Sequence, residues 1–129
     1  MKSVTRVTGP LMMRTTAGGA DLIVDPQEIV EQSVSPIDLF EAALTSSIAL
    51  SMANAALRSG VNVKGLHVEV SRTQSVSTRK VSALSLRISC PRPVPEAVRP
   101  ILERAARNAP VKGWLNKTLA VRMEFVWER

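Results

Sequence analysis

SPIDLFEAALTSSIALSMANAALRSG, residues Ser35–Gly60, decides the fold. It opens with a helix start signal: Ser35 suits a cap, Pro36 suits the first helical position, and Asp38 lies three residues after the cap. It closes with Arg58, which favours the carbonyl end of a helix dipole, and with Ser59-Gly60 as a stop. Between Glu41 and Arg58 there is no charged residue. Ala, Ser, Leu, Ile and Met fill every face, and a helix that is apolar or small all round is a buried one. About 24 residues at 1.5 Å each predict a rod of about 36 Å. The polar residues Thr45, Ser46, Ser47, Ser51 and Asn54 argue against a membrane span.

Working outward, Ser3–Thr8 reads as a strand ended by Gly9-Pro10, and Leu11–Ala17 and Ala20–Asp25 read as two strands around a Gly18-Gly19 hairpin. Residues 27–34 read as a polar loop into the helix. Beyond the helix, Leu66–Arg72 alternates, with Leu66, Val68 and Val70 on one face and His67, Glu69 and Ser71 on the other. Residues 61–65 are candidates to extend that strand through a bulge at Gly65, and residues 73–78 read as a turn. Val81–Cys90 alternates again, with Leu84, Leu86, Ile88 and Cys90 together against Ser85, Arg87 and Ser89, and Pro91, Pro93 and Pro95 end it. Val98, Ile101, Leu102, Ala105 and Ala106 fall at helical spacing. Pro100 either opens that helix or follows a separate turn over 95–98 that kinks into it. A short segment around Trp114 precedes a last strand, residues 118–128, with Leu119, Val121, Met123, Phe125 and Trp127 on one face. The order predicts an α+β class: an antiparallel sheet around a long buried central helix, in one domain over residues 1–129.

One small sheet covers only one side of such a helix. Two readings supply the other side: a second copy across a two-fold axis, for which Ala42, Ala43, Ser46, Ser47, Ala49, Ala53 and Ala56 permit close approach, or the second helix of the same chain.

These residues resemble the OsmC/Ohr family. Its signature is an asparagine- or serine-proline leading into a long helix with a small-residue centre, as in SPIDLFEAALTSSIALSMANAALRSG; LHVEVS and LERAARNAPVKGWL match the next two family blocks in order and spacing. The resemblance runs from about Val7 to the C-terminus. It implies an OsmC-like fold, an intertwined homodimer with paired central helices, and two sites at the subunit interface. Members are thiol peroxidases of the organic hydroperoxide and osmotic stress responses. The family's AALGACTA reads here as AALTSSIA, which puts the attacking cysteine on Ser47. The second cysteine falls on Ala109, before Pro110-Val111, and a family glutamate falls on Ile37. Arg14 is the counterpart of the assisting arginine. Peroxide reduction needs a thiolate that becomes a sulfenic acid and a second thiol to reduce it. With Ser47, Ala109 and Ile37 at the matched positions, the resemblance implies the fold without the activity. What remains is a small-ligand site with Ser47, Ala109, Phe40 and Trp114 around it and Arg14 as an anion or hydroperoxide partner, needing no cofactor. Trp114 either lines that cavity or plugs it.

Other candidates are set beside plainer readings. Cys90, the sole cysteine, is a conceivable displaced peroxidatic thiol for a residual hydroperoxide reductase, but its parity puts it on the core face. A hydrolase nucleophile at Ser46 or Ser47 lacks a G-x-S-x-G elbow and a positioned base. His67 alone makes no metal site. Phe125 and Trp127 read as core. Net charge is −2 over residues 1–58 and +8 over 59–129. That bias admits nucleic-acid binding through the basic second half, yet the basic residues are scattered and lack an aromatic platform. MKSVTRVTG has no apolar signal-peptide region, and a lone cysteine fits a reducing compartment, so the expected location is the cytoplasm.

Overall fold

A computed structural model of the chain describes residues 2–27, 29–74, 77, 80–115 and 119–128. The chain forms two compact units, residues 1–42 and 43–129.

The first unit holds a four-stranded sheet in the order β1-β2-β3-β4, built from β1 (Ser3–Gly9), β2 (Met12–Ala17), β3 (Ala20–Val24) and β4 (Ser33–Val34). β1, β2 and β3 form an antiparallel meander, and Gly18 turns the hairpin at φ +58°, a conformation glycine adopts freely. The segment expected as loop ends in β4, which pairs parallel to β3 through Ile23↔Ser33 and Val24↔Val34. A two-residue strand carries no alternation to read. Its position is set by Asp25, which is only 1% exposed. The Asp25 carboxylate accepts from the backbone N–H groups of Gln27 (3.0 Å), Ile29 (2.9 Å) and Val30 (2.9 Å). Those bonds curl the segment back, and Asp25 N–H donates to the Val34 carbonyl at 2.9 Å.

The long helix, α1 (Pro36–Arg58), begins in the first unit and continues in the second. Its start is a reciprocal capping box: Asp38 N–H donates to Ser35 Oγ (3.1 Å) and Ser35 N–H to Asp38 Oδ2 (2.9 Å). Its end is a Schellman motif. Gly60 sits at φ +70°, its N–H donates to the Leu57 carbonyl (3.2 Å), and Val61 N–H donates to the Ala56 carbonyl (2.9 Å).

In the second unit β5 (His67–Gln74), β6 (Val81–Cys90) and β7 (Ala120–Trp127) form a second sheet in the order β5-β6-β7. Residues 73 and 74, expected in a turn, continue β5, whereas residues 61–65 form no strand. Residues 75, 76, 78 and 118, parts of an expected turn and strand, lie outside the described residues. The expected antiparallel sheet is in fact two sheets, each mixed: β5 runs antiparallel to β6, but β6 and β7 are parallel. A parallel pair needs a crossover, here α2 (Arg99–Arg107) and α3 (Pro110–Gly113). The turn over residues 95–98 leads straight into α2 through Val98 N–H to the Pro95 carbonyl. Pro100 therefore stands in the first turn of α2, where its missing N–H costs nothing. Register carries the apolar parities together: Val121, Met123, Phe125 and Trp127 oppose Leu84, Leu86, Ile88 and Cys90. Those four residues of β6 are buried, with Leu44, Ile48, Met52, Ala55 and Ala56 of α1 and Leu102 and Ala106 of α2.

The long helix departs from one expectation. Within one chain it is buried along a single side. Ala43, Ser46 and Ala53 are exposed on the other, together with Leu50 (63%) and Leu57 (79%), so α2 does not cover that side.

Replacing Ser35 by Ala removes one member of the capping box. The expected loss is about 1 kcal/mol of stability, read as a lower urea midpoint at unchanged slope.

Candidate functional site

Ser47 lies mid-way along α1 and is partly buried. Its partner comes from a segment far away in sequence. α3 starts after Ala109, whose side chain has no oxygen to cap a helix, and Pro110 has no N–H to satisfy. Val111 carries the first N–H of α3 in need of an acceptor. It donates to Ser47 Oγ at 3.3 Å. A hydroxyl on one helix thus serves as the cap of another. Ala109 is fully buried beside this contact in sequence. The elements carrying Ser47 and Ala109 therefore meet. In this contact Ser47 acts as a hydrogen-bond acceptor. Ser46 donates its hydroxyl back to the Ala43 carbonyl at 3.2 Å, the usual role of a helical serine.

Trp114 ends α3 and is 79% exposed, so within one chain it plugs nothing. Phe40 and Arg14 belong to the first unit. Arg14 Nε lies 3.3 Å from Asp21 Oδ2, an exposed pair, and Arg14 borders a cavity of about 260 Å³ with Thr8, Met12, Met13, Ile23 and Val30. The guanidinium is thus already shared with a carboxylate. Ile37 occupies the first turn of α1, where it supplies no charge. In the second unit an apolar cleft of about 550 Å³ runs along Ala53, Leu57 and Val61–Val63, away from Ser47.

Cys90 is 3% exposed at the C-terminal end of β6. A buried thiol on an apolar face behaves as packing. His67 is on the exposed face of β5 and contacts Ser89 and the Gly65 carbonyl, not Ser46 or Ser47. The pairing with Ser89 was hidden because β-register, not parity alone, brings the two polar faces side by side. The Asp25-Pro26 pair holds a second signal: an aspartate before a proline favours a turn in which the side chain accepts from backbone N–H groups downstream, as Asp25 does from Gln27. Among the described residues no group of three or more His, Cys, Asp or Glu side chains is placed to hold a metal ion. No described helix is long and apolar enough to cross a membrane. The basic residues of the second unit are partly spent internally. Arg99 donates to the Val94 and Glu128 carbonyls (both 3.0 Å), and Arg107 lies 5.2 Å from the Phe125 ring centroid. On the sheet's outward face Arg87 stands between Glu69 and Glu124 in register.

A long helix uncharged from Ala42 to Leu57, an α3 terminus resting on its midpoint and two mixed sheets in one chain define an OsmC-type α+β protein. The chain belongs to the OsmC-like protein family, whose model matches residues 30–124. Solved structures with the same fold include an OsmC-like protein of Mycoplasma pneumoniae, with a TM-score of 0.85 at 10% identity over 99% of this chain and 96% of that one. The organic hydroperoxide resistance protein OhrB of Bacillus subtilis aligns with a TM-score of 0.68 at 14% identity over 98% of each chain. An organic hydroperoxide resistance protein of Elizabethkingia anophelis aligns with a TM-score of 0.70 at 13% identity over 99% of this chain and 97% of that one. At these identities the likeness is one of fold. No curated protein matches the sequence.

The burial of Cys90 sets its expected reactivity. A small alkylating reagent modifies it slowly in the native protein and rapidly in denaturant, followed by intact mass; equal rates in both would place the thiol at the surface.

Proposed function

We propose that this OsmC-like chain is a homodimer without thiol peroxidase chemistry, and that it holds a small apolar ligand beside Ser47. The observation that carries this reading is the bond between Ser47 Oγ and Val111 N–H. It ties together the two elements on which the family places its thiols, and neither position here holds sulfur. A serine hydroxyl is not ionised near neutral pH and has no sulfenic acid cycle, so the family reaction has no nucleophile at this place. Trp114, exposed at the end of α3, offers an aromatic wall to such a ligand, and Ala109, buried at the start of α3, keeps the junction beneath it small. The resemblance also implies roles for Phe40 and for Arg14, the latter as an anion or hydroperoxide partner. The hydroperoxide resistance proteins among the structural relatives favour a stress-response setting, and a lone unpaired thiol accords with the cytoplasm.

The dimer rests on the open side of α1. Leu50 and Leu57 are large and apolar, and burying each is worth about 2 kcal/mol. In the first unit Val4, Val7, Leu11 and Ile29 are also exposed. A second copy of the chain answers both. The family match crosses from one compact unit to the other, which supports treating residues 1–129 as a single domain. Residual reductase activity through Cys90 is disfavoured by its burial. Nucleic-acid binding is disfavoured by the carboxylates that flank Arg87 and by the internal partners of Arg99 and Arg107.

Two experiments test the reading. The purified protein is expected to consume no organic hydroperoxide with a dithiol reductant, yet to bind the apolar probe 1-anilinonaphthalene-8-sulfonate saturably. Trp114→Ala is expected to weaken that binding at least about tenfold, the loss typical of an aromatic anchor. Hydroperoxide turnover that disappears in Cys90→Ser would overturn the reading, as would probe binding indifferent to Trp114. Light scattering is expected to give the mass of two chains for the wild type and of one for the Leu50→Glu/Leu57→Glu variant. A monomeric wild type would remove the dimer.

A further inference from the structure

Away from the α1–α3 junction, the outward face of the second unit's sheet brings a nucleophile and a base together. His67 opens β5 and lies directly opposite Ser89 near the end of β6. His67 Nε2 and Ser89 Oγ are 3.1 Å apart. The other ring nitrogen, Nδ1, is 3.2 Å from the Gly65 carbonyl oxygen. A carbonyl only accepts, so Nδ1 carries the proton, and Nε2 of the neutral ring is left to accept from the Ser89 hydroxyl. Glu69 Oε1 is 3.7 Å from the same Nε2, where it faces the positive charge that the ring takes on when Nε2 is protonated.

The orienting carbonyl is held in place. Gly65 has φ +92°, and a Cβ there would come within 2.7 Å of Pro91 Cγ, so only glycine fits between the turn and the proline that ends β6. Leu66 N–H donates to the Val63 carbonyl at 2.9 Å and closes that turn. A His–Ser pair across two strands is by itself an ordinary sheet contact. Here a third group fixes the tautomer and a fourth faces the charge. That is the arrangement that makes a serine nucleophilic: nucleophile, base, and an orienter behind the base. The His67 side chain is 55% exposed, so a reactant reaches the pair from solvent.

We propose that Ser89 is a nucleophile activated by His67, and that it takes acyl groups from compact activated carboxylic esters. Ser89 Oγ attacks the ester carbonyl, and the hydroxyl proton passes to His67 Nε2. The bond to the leaving oxygen breaks, the proton moves from Nε2 to that oxygen, and the alcohol departs, leaving an ester on Ser89. Water then attacks the acyl-serine, with Nε2 taking the proton and returning it to Ser89, and a carboxylic acid is released. The same face carries an open hollow of about 430 Å³ beside the pair, lined by the charged Glu69, Arg87, Arg122 and Glu124, which suits a compact polar donor better than a long apolar chain.

The test uses the full-length protein and 4-nitrophenyl acetate. The expected result is a burst of 4-nitrophenolate and an acetyl group on the peptide that contains Ser89. Ser89→Ala is expected to lose both the burst and that label. His67→Gln is expected to slow the burst about 100-fold or more, the usual contribution of a positioned general base, with an unchanged circular dichroism spectrum because the side chain is exposed. Acetyl groups confined to lysines in the wild type would overturn the proposal. So would labelling of Ser89 at the wild-type rate in His67→Gln.

Discussion

A helix with no charge from Ala42 to Leu57 cannot stand in water on all sides. That constraint shapes the molecule. One side of α1 is satisfied within the chain, where Leu44, Ile48 and Met52 are fully buried. The small residues Ala55 and Ala56 belong to the same side and allow close packing near the helix end. The opposite side, with Leu50 and Leu57, remains apolar and unclaimed by its own chain. Capping at both ends makes the helix a fixed length: the Ser35–Asp38 box starts it and the Gly60 turn stops it. The rod is therefore rigid in register, and whatever meets its centre meets it at Ser47.

The sequence made α1 legible because three signals coincide there: a cap, an uncharged interior and a glycine stop. The alternation of β6 and β7 was equally plain, and their register joins the very faces that the alternation marks as apolar. Strand direction was not legible. Alternation is the same in parallel and antiparallel pairs, so nothing in residues 120–127 announced that β7 runs with β6. β4 escaped notice because its place depends on the Asp25 carboxylate and three backbone N–H groups rather than on its own two side chains.

At the candidate site the residues carried over by resemblance had mixed legibility. Ser47 and Ala109 are separated by sixty-odd positions, yet Val111 N–H reaches Ser47 Oγ, with donor and acceptor 64 positions apart. The pattern around Pro110 shows why: a helix that begins Ala-Pro lacks both a capping oxygen and its first N–H donor, and the next donor must look elsewhere. Ser47 thus has a structural task that sulfur would perform less well, since sulfur is a weak acceptor. The substitution suits the architecture even as it removes the redox cycle. Trp114 shows the opposite limit. Its place near the junction was readable, but its degree of exposure was not, because exposure depends on what packs around α3.

The parallel pairing of β6 and β7 also bears on how the chain is made. β6 is the central strand of its sheet, and its inward side chains are the apolar Leu84, Leu86, Ile88 and Cys90. β5 precedes it and protects one edge at once. The other edge waits for residues 120–127, which leave the ribosome only after both crossover helices. During that interval a long apolar strand has an open hydrogen-bonding edge, the condition under which nascent chains pair with one another. Pro91, Pro93 and Pro95, just beyond the strand, cannot donate to such a pairing and limit how far it spreads. The proline run is thus a guard for the half-made sheet as well as its terminator.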